Sequence, residues 1–305
     1  MITASSTLTT VWSWSSDMLF SNQTEFLAGK YGLVRAVEMM IEAGYPAIDI
    51  TMWDVNAAPF TDDYREVAST LKAMADKAGV RFVQAHAPFG GGYDRYLNEL
   101  VPLFPRAFEF CSLLGIEHIV VHPIMRGHYY GNEKEHFDMN MRFYQALIPL
   151  SRTNKVKIAI ENMWDRHPVT GRICDHVCAD PYELCRYYDE LATPDVFTVC
   201  LDLGHVALCG REPEDAIRII GRERLGCIHA HDVDYVSDLH TLPGAARIKW
   251  DAVARALGEI DYQGVFNMEA DRFFDGFMEE QYPTVARFMA DTARTIANKI
   301  DLYRP

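Results

Sequence analysis

Short apolar runs alternate along the chain with longer stretches in which apolar residues recur every three or four positions. Runs of the first kind read as strands buried on both faces, and stretches of the second kind as amphipathic helices. The runs predict strands at Thr10–Ser13, Ala47–Thr51, Arg81–His86, His118–His122, Lys157–Glu161, Thr198–Asp202, Cys227–His231 and Val265–Glu269. The periodic stretches predict helices over Leu33–Ala43, Tyr64–Ala78, Leu97–Leu114, Phe137–Arg152, Pro181–Leu191, Pro213–Ile220, Trp250–Gly258 and Tyr282–Ile300. Gly44, Gly79, Gly115 and Gly264 stand just before strands, where a glycine commonly ends a helix. About eight βα units in unbroken succession, with no Ser/Pro-rich linker, predict an α/β fold, a closed (β/α)8 TIM barrel forming one domain over residues 1–305. A doubly wound sheet is the rival, but no strand is followed by a GxGxxG turn. Gly90-Gly91-Gly92 lacks a following Lys-Ser/Thr and is not a phosphate-binding loop.

Charge narrows the partners. Among 305 residues, 43 are acidic and 29 basic, a formal net charge of −14. Nucleic-acid binders gain affinity by neutralising phosphates with basic patches. This balance therefore argues against nucleic acid and anionic membranes. Seven cysteines include no CxxC pair, so neither a zinc ribbon nor a redox pair is expected. Cys200 and Cys227 lie in apolar runs and read as small core residues, while Cys174, His176 and Cys178 read as a surface loop. The N-terminus shows no signal-peptide pattern, and nothing approaches the roughly 20 apolar residues of a membrane span. A soluble protein of the reducing cytoplasm is expected.

Candidate chemistry sits at the strand ends. The third run ends at His86, the fourth at His122, the fifth at Glu161, the sixth at Asp202, the seventh at His229-Ala230-His231, and the eighth at Glu269. In a barrel of parallel strands these ends converge on one face, where active sites lie. Carboxylates and imidazoles crowded together need a cation to offset their repulsion. Two Glu carboxylates, one Asp and one imidazole form an oxygen-rich set that suits one divalent metal, Mn2+ above all, with Mg2+, Co2+ or Zn2+ as alternatives. Zinc gains weight if His86, His122, His205, Asp238 and His240 also ligate. Trp53, Trp164, Arg126, Arg166 and His167 fall in loops that could line the pocket.

These residues carry a resemblance to the xylose isomerase-like barrel superfamily, which includes sugar-phosphate isomerase/epimerases, ketose 3-epimerases and zinc AP endonucleases. It runs nearly end to end. In the ketose 3-epimerase pattern the metal is held at the positions of Glu161, Asp202, His231 and Glu269. The Asp202–His205 element resembles one whose histidine contacts substrate. The stretch from Asp238 through His240, Pro243 and Gly244 to Trp250 resembles the DxHxxPGxGxIxW segment of these proteins. The resemblance implies a sugar isomerase or epimerase in which Glu161 and Glu269 move protons on opposite faces of a cis-enediolate. His86, His122, His205, Trp164, His167 and His240 are the expected substrate contacts. Two positions depart from that pattern: His167 stands where those epimerases carry a second Glu, and Ser237 where they carry an Arg. The superfamily's alternatives are a sugar or glycoside lyase and a zinc phosphodiesterase. A small-molecule sugar partner is expected, with a homo-oligomer possible. No phosphate-binding glycine motif follows strands seven and eight, which leans toward a free sugar.

Overall fold

The computed structural model describes residues 18–53 and 55–305. Six parallel strands run in sheet order β2 (Ala47–Thr51), β3 (Arg81–His86), β4 (His118–Val121), β5 (Lys157–Glu161), β6 (Phe197–Asp202) and β7 (Leu225–His229). A further parallel pair joins β1 (Phe20–Asn22) to β8 (Phe266–Met268). Two single parallel bridges close the ring: Gln23 pairs with Asp49 beside β2, and Ala230 pairs with Met268 beside β7. The result is an eight-stranded parallel barrel of α/β type, as the alternation predicted.

The first strand differs from expectation. Thr10–Ser13 lies outside the described residues, and Phe20–Asn22 holds the first place in the barrel. Two of its three residues are polar, yet all are buried. Ser21 Oγ donates to Asn267 Oδ1 at 2.5 Å, and Asn267 Nδ2 donates to Asp49 Oδ2 at 2.7 Å. Gln84 Nε2 reaches the same oxygen at 3.0 Å. These side chains form a hydrogen-bonded strip linking β1, β2, β3 and β8. Val120, Ala159, Cys200 and Cys227 form a small apolar cluster of their own, apart from the main core.

Among the described residues eight helices of eight or more residues follow the strands: α1 (Leu33–Ala43), α2 (Tyr64–Ala78), α3 (Phe104–Leu114), α4 (Glu133–Asn154), α5 (Pro181–Leu191), α6 (Pro213–Ile220), α7 (Trp250–Glu259) and α8 (Tyr282–Leu302). Their buried faces carry the predicted apolar positions, such as Leu71, Leu184, Ile217 and Leu257. The expected helix over Leu97–Leu114 is broken. Residues Tyr96–Leu100 form a π turn and Val101–Leu103 a 3-10 turn before α3 starts. Pro102 and Pro105 supply no backbone N–H, so a continuous ladder cannot form there. Gly44, Gly79 and Gly115 adopt left-handed conformations at helix ends, as expected. Gly264 does not: a Cβ there would lie 2.2 Å from the Tyr262 hydroxyl, so close packing requires it.

Cys174, His176 and Cys178 are not a surface loop. Cys174 lies in a short antiparallel hairpin (Trp164–Arg166 with Ile173–Asp175), and His176 and Cys178 are buried. Val177 N donates to His176 Nδ1, so the other ring nitrogen carries the proton and donates to Gly127 O. No helix among the described residues is long and apolar enough to cross a membrane.

Candidate active site at the strand ends

Glu161, Asp202 and His229 are the last residues of β5, β6 and β7, and Glu269 immediately follows β8. Parallel strands bring these four to one end of the barrel, where all are buried. One ligand atom from each lies within 4.8 Å of every other. His229 Nδ1 is 2.9 Å from Glu161 Oε1 and 3.0 Å from Glu269 Oε2. A single nitrogen carries at most one proton, so it cannot donate fully to both carboxylates. Glu161 Oε2 is buried without a hydrogen bond, although His122 Nε2 lies only 2.8 Å away. Three carboxylates and one imidazole converging in this way fit a hard divalent cation with mixed oxygen and nitrogen ligands.

Burial opposes charge on every member of the group, yet His229 is raised well above an ordinary imidazole, chiefly by Cys200, Glu269 and Glu161. Burial works to raise Glu161, but His229 and His122 outweigh it and hold the carboxyl well below its usual range. Glu269 is likewise lowered against burial, by His229 and His240. At His122 burial wins over Glu161, and the ring's pKa falls. The group is therefore built to keep its carboxylates ionised.

The family pattern points to His231 on the seventh strand; in the structure His229 is the ring against the Glu161–Glu269 pair. His231 lies beside Asp202, with Nε2 at 3.1 Å from Oδ1, and stacks on His240 at 4.1 Å between ring centroids. Residues two apart on a strand face the same way, so alternation could not choose between them. With His205 and Asp238 these two histidines form a second converging group. Asp202 serves both groups and also caps the short helix Leu203–Leu208, accepting from His205 N at 2.6 Å. Gly204 in that helix leaves room for the His231 ring, because a Cβ there would fall 2.1 Å from Cε1. Asp238 and His240 pair at 3.2 Å. Burial works against charge on His240, but Asp238 and Glu269 raise it to about 10. His86 Nε2 lies 3.1 Å from His122 Nε2 and 3.4 Å from Glu161 Oε2, which completes a ring of strand-end side chains.

Asp232 holds the segment bearing Asp238 and His240. Its Oδ1 accepts from the backbone N–H groups of Val233, Arg247 and Ile248, and Oδ2 from those of Gly244 and Ala246 and from Trp250 Nε1.

A cavity of about 530 Å³ opens above the ring. Glu161, Glu269, His86, His122, His205, Asp238 and His240 reach it, and Trp53, Phe89, Tyr93, Tyr96, Met125, Met163 and Trp164 supply apolar walls. Of the sequence candidates, His167 is not brought to the cavity. Its Nδ1 accepts from Val169 N and Thr170 N at the hairpin turn, a role favoured by the tight turn at Gly171. Arg126 instead lies over the Tyr93 ring and beside Glu135. The sequence reading missed Asp271, a buried carboxylate on the cavity wall two residues beyond Glu269. Its place in a short 3-10 turn gives no periodic signal.

Other proteins share this fold. An uncharacterized protein of Methanocaldococcus jannaschii is 26% identical over 219 residues, covering 69% of this chain and 71% of that protein. The fold is similar to the crystal structure of a D-tagatose 3-epimerase-like protein, with TM-score 0.72, 20% identity, and coverage of 92% of this chain and 98% of that one. A D-psicose 3-epimerase crystallised in the presence of D-fructose gives TM-score 0.71 at 15% identity, covering 92% and 100%. An IOLI protein with a bound zinc atom gives 0.69 at 18%, covering 94% and 99%. The family model described as xylose isomerase-like TIM barrel matches residues 37–292, most of the barrel and every strand-end residue named above. The chain belongs to the xylose isomerase-like TIM barrel family.

Proposed function

We propose that this protein is a metal-dependent sugar isomerase or epimerase that moves a proton at a carbon next to a carbonyl. The observation that carries this reading is the convergence of Glu161, Asp202, His229 and Glu269 beneath a cavity that two of those carboxylates reach. The structural similarity to a D-tagatose 3-epimerase-like protein and a D-psicose 3-epimerase supports the substrate class.

Glu161, Asp202, His229 and Glu269 would hold one divalent ion, Mn2+ being our assignment from the oxygen-rich donors. Such an ion, when bound, polarises a carbonyl and acidifies the neighbouring C–H. Glu161 and Glu269 extend from β5 and from the end of β8, three strands apart around the ring. One carboxylate removes the proton and the other returns one from the opposite face, which inverts the carbon. A divalent ion held there would keep both carboxylates ionised, the state a general base requires. His205 Nδ1 donates to Asn162 O at 2.8 Å; burial works against charge on the ring, but Asp202 and Glu161 raise it, and the imidazolium's Nε2–H would stabilise the developing oxyanion in the cavity. Trp53, Phe89 and Trp164 offer apolar faces for the C–H surface of a sugar ring.

The second group, His205, His231, Asp238 and His240, favours one other reading, a zinc phosphodiester hydrolase holding several ions. The acidic cavity and the −14 charge oppose a polyanionic substrate.

The test is solvent-deuterium incorporation into D-psicose and D-fructose by the manganese-loaded protein. The reading predicts exchange at the carbon beside the carbonyl, abolished in Glu161→Gln. Absence of exchange into any ketose, with phosphodiester cleavage instead, would refute it.

A further inference from the structure

Asp271 is a buried carboxylate that proton transfer between Glu161 and Glu269 does not use. It is 7% exposed, and it lines the cavity. Its position is fixed from behind. Gln23 Nε2 donates to Asp271 Oδ1 at 2.7 Å, and Thr51 Oγ1 donates to Gln23 Oε1 at 3.2 Å. The Thr51 hydroxyl thereby sets which way the Gln23 amide faces. Gln23 and Thr51 are themselves buried. Among the described residues no Lys or Arg pairs with Asp271. Burying a carboxylate is costly; His240 offsets part of that cost electrostatically, and two further buried side chains orient the carboxylate.

Trp53 follows β2 on the same side of the barrel, with β1 between it and the chain leaving β8. It too lines the cavity, and its indole N–H is buried without an acceptor. A carboxylate can only accept and an indole N–H can only donate, whereas a hydroxyl does both. A phosphate dianion has no proton to offer Asp271, and it would meet the carboxylates of Glu161, Asp165, Asp238, Glu269 and Asp271 against the guanidinium of Arg272 and the imidazoles of His205 and His240.

We propose that Asp271 and Trp53 form a hydroxyl-recognising subsite on the β1–β2–β8 side of the cavity, which selects an uncharged polyol end of the substrate over its phosphate ester. The assignment rests on the sugar-isomerase reading above. Asp271 is here a specificity-determining residue, while Glu161 and Glu269 carry the proton.

The experiment measures deuterium incorporation by the manganese-loaded protein into D-psicose, each of its single-deoxy analogues, and its 6-phosphate. Wild-type protein should exchange D-psicose and neglect the phosphate. Asp271→Asn should raise KM for D-psicose roughly 10- to 100-fold, the range expected for a lost charge-assisted hydrogen bond, with kcat little changed. For the one deoxy analogue lacking the recognised hydroxyl, wild type and variant should coincide. Trp53→Phe, which keeps the aromatic face and removes only the donor, should lower discrimination at the same hydroxyl, and it carries the test if Asp271→Asn does not fold. If wild type exchanges D-psicose but both variants match it on every sugar, or if the phosphate is preferred, the subsite is wrong while the isomerase reading stands. If wild type exchanges neither these sugars nor any other ketose, the isomerase reading falls and the subsite falls with it.

Discussion

Replacing Asp232 with Asn probes how the segment carrying Asp238 and His240 is held. Asp232 is fully buried, and its two oxygens accept six hydrogen bonds between 2.9 and 3.0 Å. Asparagine has nearly the same shape but offers one oxygen and one NH2 group. Whichever way the amide turns, three donors keep an acceptor and three N–H groups face another donor. A buried donor left unsatisfied costs roughly 1–3 kcal/mol, so three would cost about 3–9 kcal/mol in a rigid loop. Relaxation of the loop and entry of water bring the expected loss to the lower part of that range, about 3–5 kcal/mol. Urea unfolding of Asp232→Asn against wild type reads the total. Hydrogen exchange at the amides of Gly244, Ala246, Arg247 and Ile248 reads the local part, which should become fast. A loss below about 1 kcal/mol with those amides still protected would refute the reasoning.

Other consequences follow from single contacts. Gly204→Ala places a methyl against the His231 ring; overpacking of this kind costs roughly 1–3 kcal/mol, and a crystal structure of the variant should show His231 displaced from Asp202 and from His240. Arg211 grips Asp175 with two bonds of 2.8 and 2.7 Å, anchoring the hairpin that borders the cavity. Burial works to raise Asp175, but the guanidinium outweighs it and holds the carboxyl below its ordinary value. The pair's stability is therefore present at neutral pH and lost as pH falls below the usual carboxylate range toward Asp175's own lower value. Arg211→Met should speed hydrogen exchange in 164–175 at pH 7, and its difference from wild type should shrink at acid pH. Glu161→Gln and Glu269→Gln should each lower deuterium exchange by at least about 100-fold if both act as general bases; a variant retaining near wild-type exchange is not a base.

Much of this architecture is legible in the sequence because parallel strands buried on both faces must read as apolar runs. Lys157–Glu161 and Arg81–His86 are found with correct ends for that reason. A charged residue closing such a run is also conspicuous, and Glu161, Asp202 and Glu269 stand out on it. Phe20–Asn22 is invisible by the same rule, since its buried Ser21 and Asn22 are satisfied by hydrogen bonds rather than by apolar packing. His229 and His231 point to one face in a two-residue period. Choosing between them needs the level at which β7 stands against β5, and that is a tertiary fact. Asp271 depends on Gln23 and Thr51, which come from elements distant in sequence, so no local pattern marks it.

In the proposed site Glu161, Asp202, His229 and Glu269 hold one divalent ion. Elemental mass spectrometry on protein purified without chelators, with His229→Asn and His231→Asn alongside, tests it most directly. The account predicts about one ion per chain in wild type, lost in His229→Asn and retained more fully in His231→Asn. No metal in wild type, or metal kept by His229→Asn and lost by His231→Asn, would contradict it.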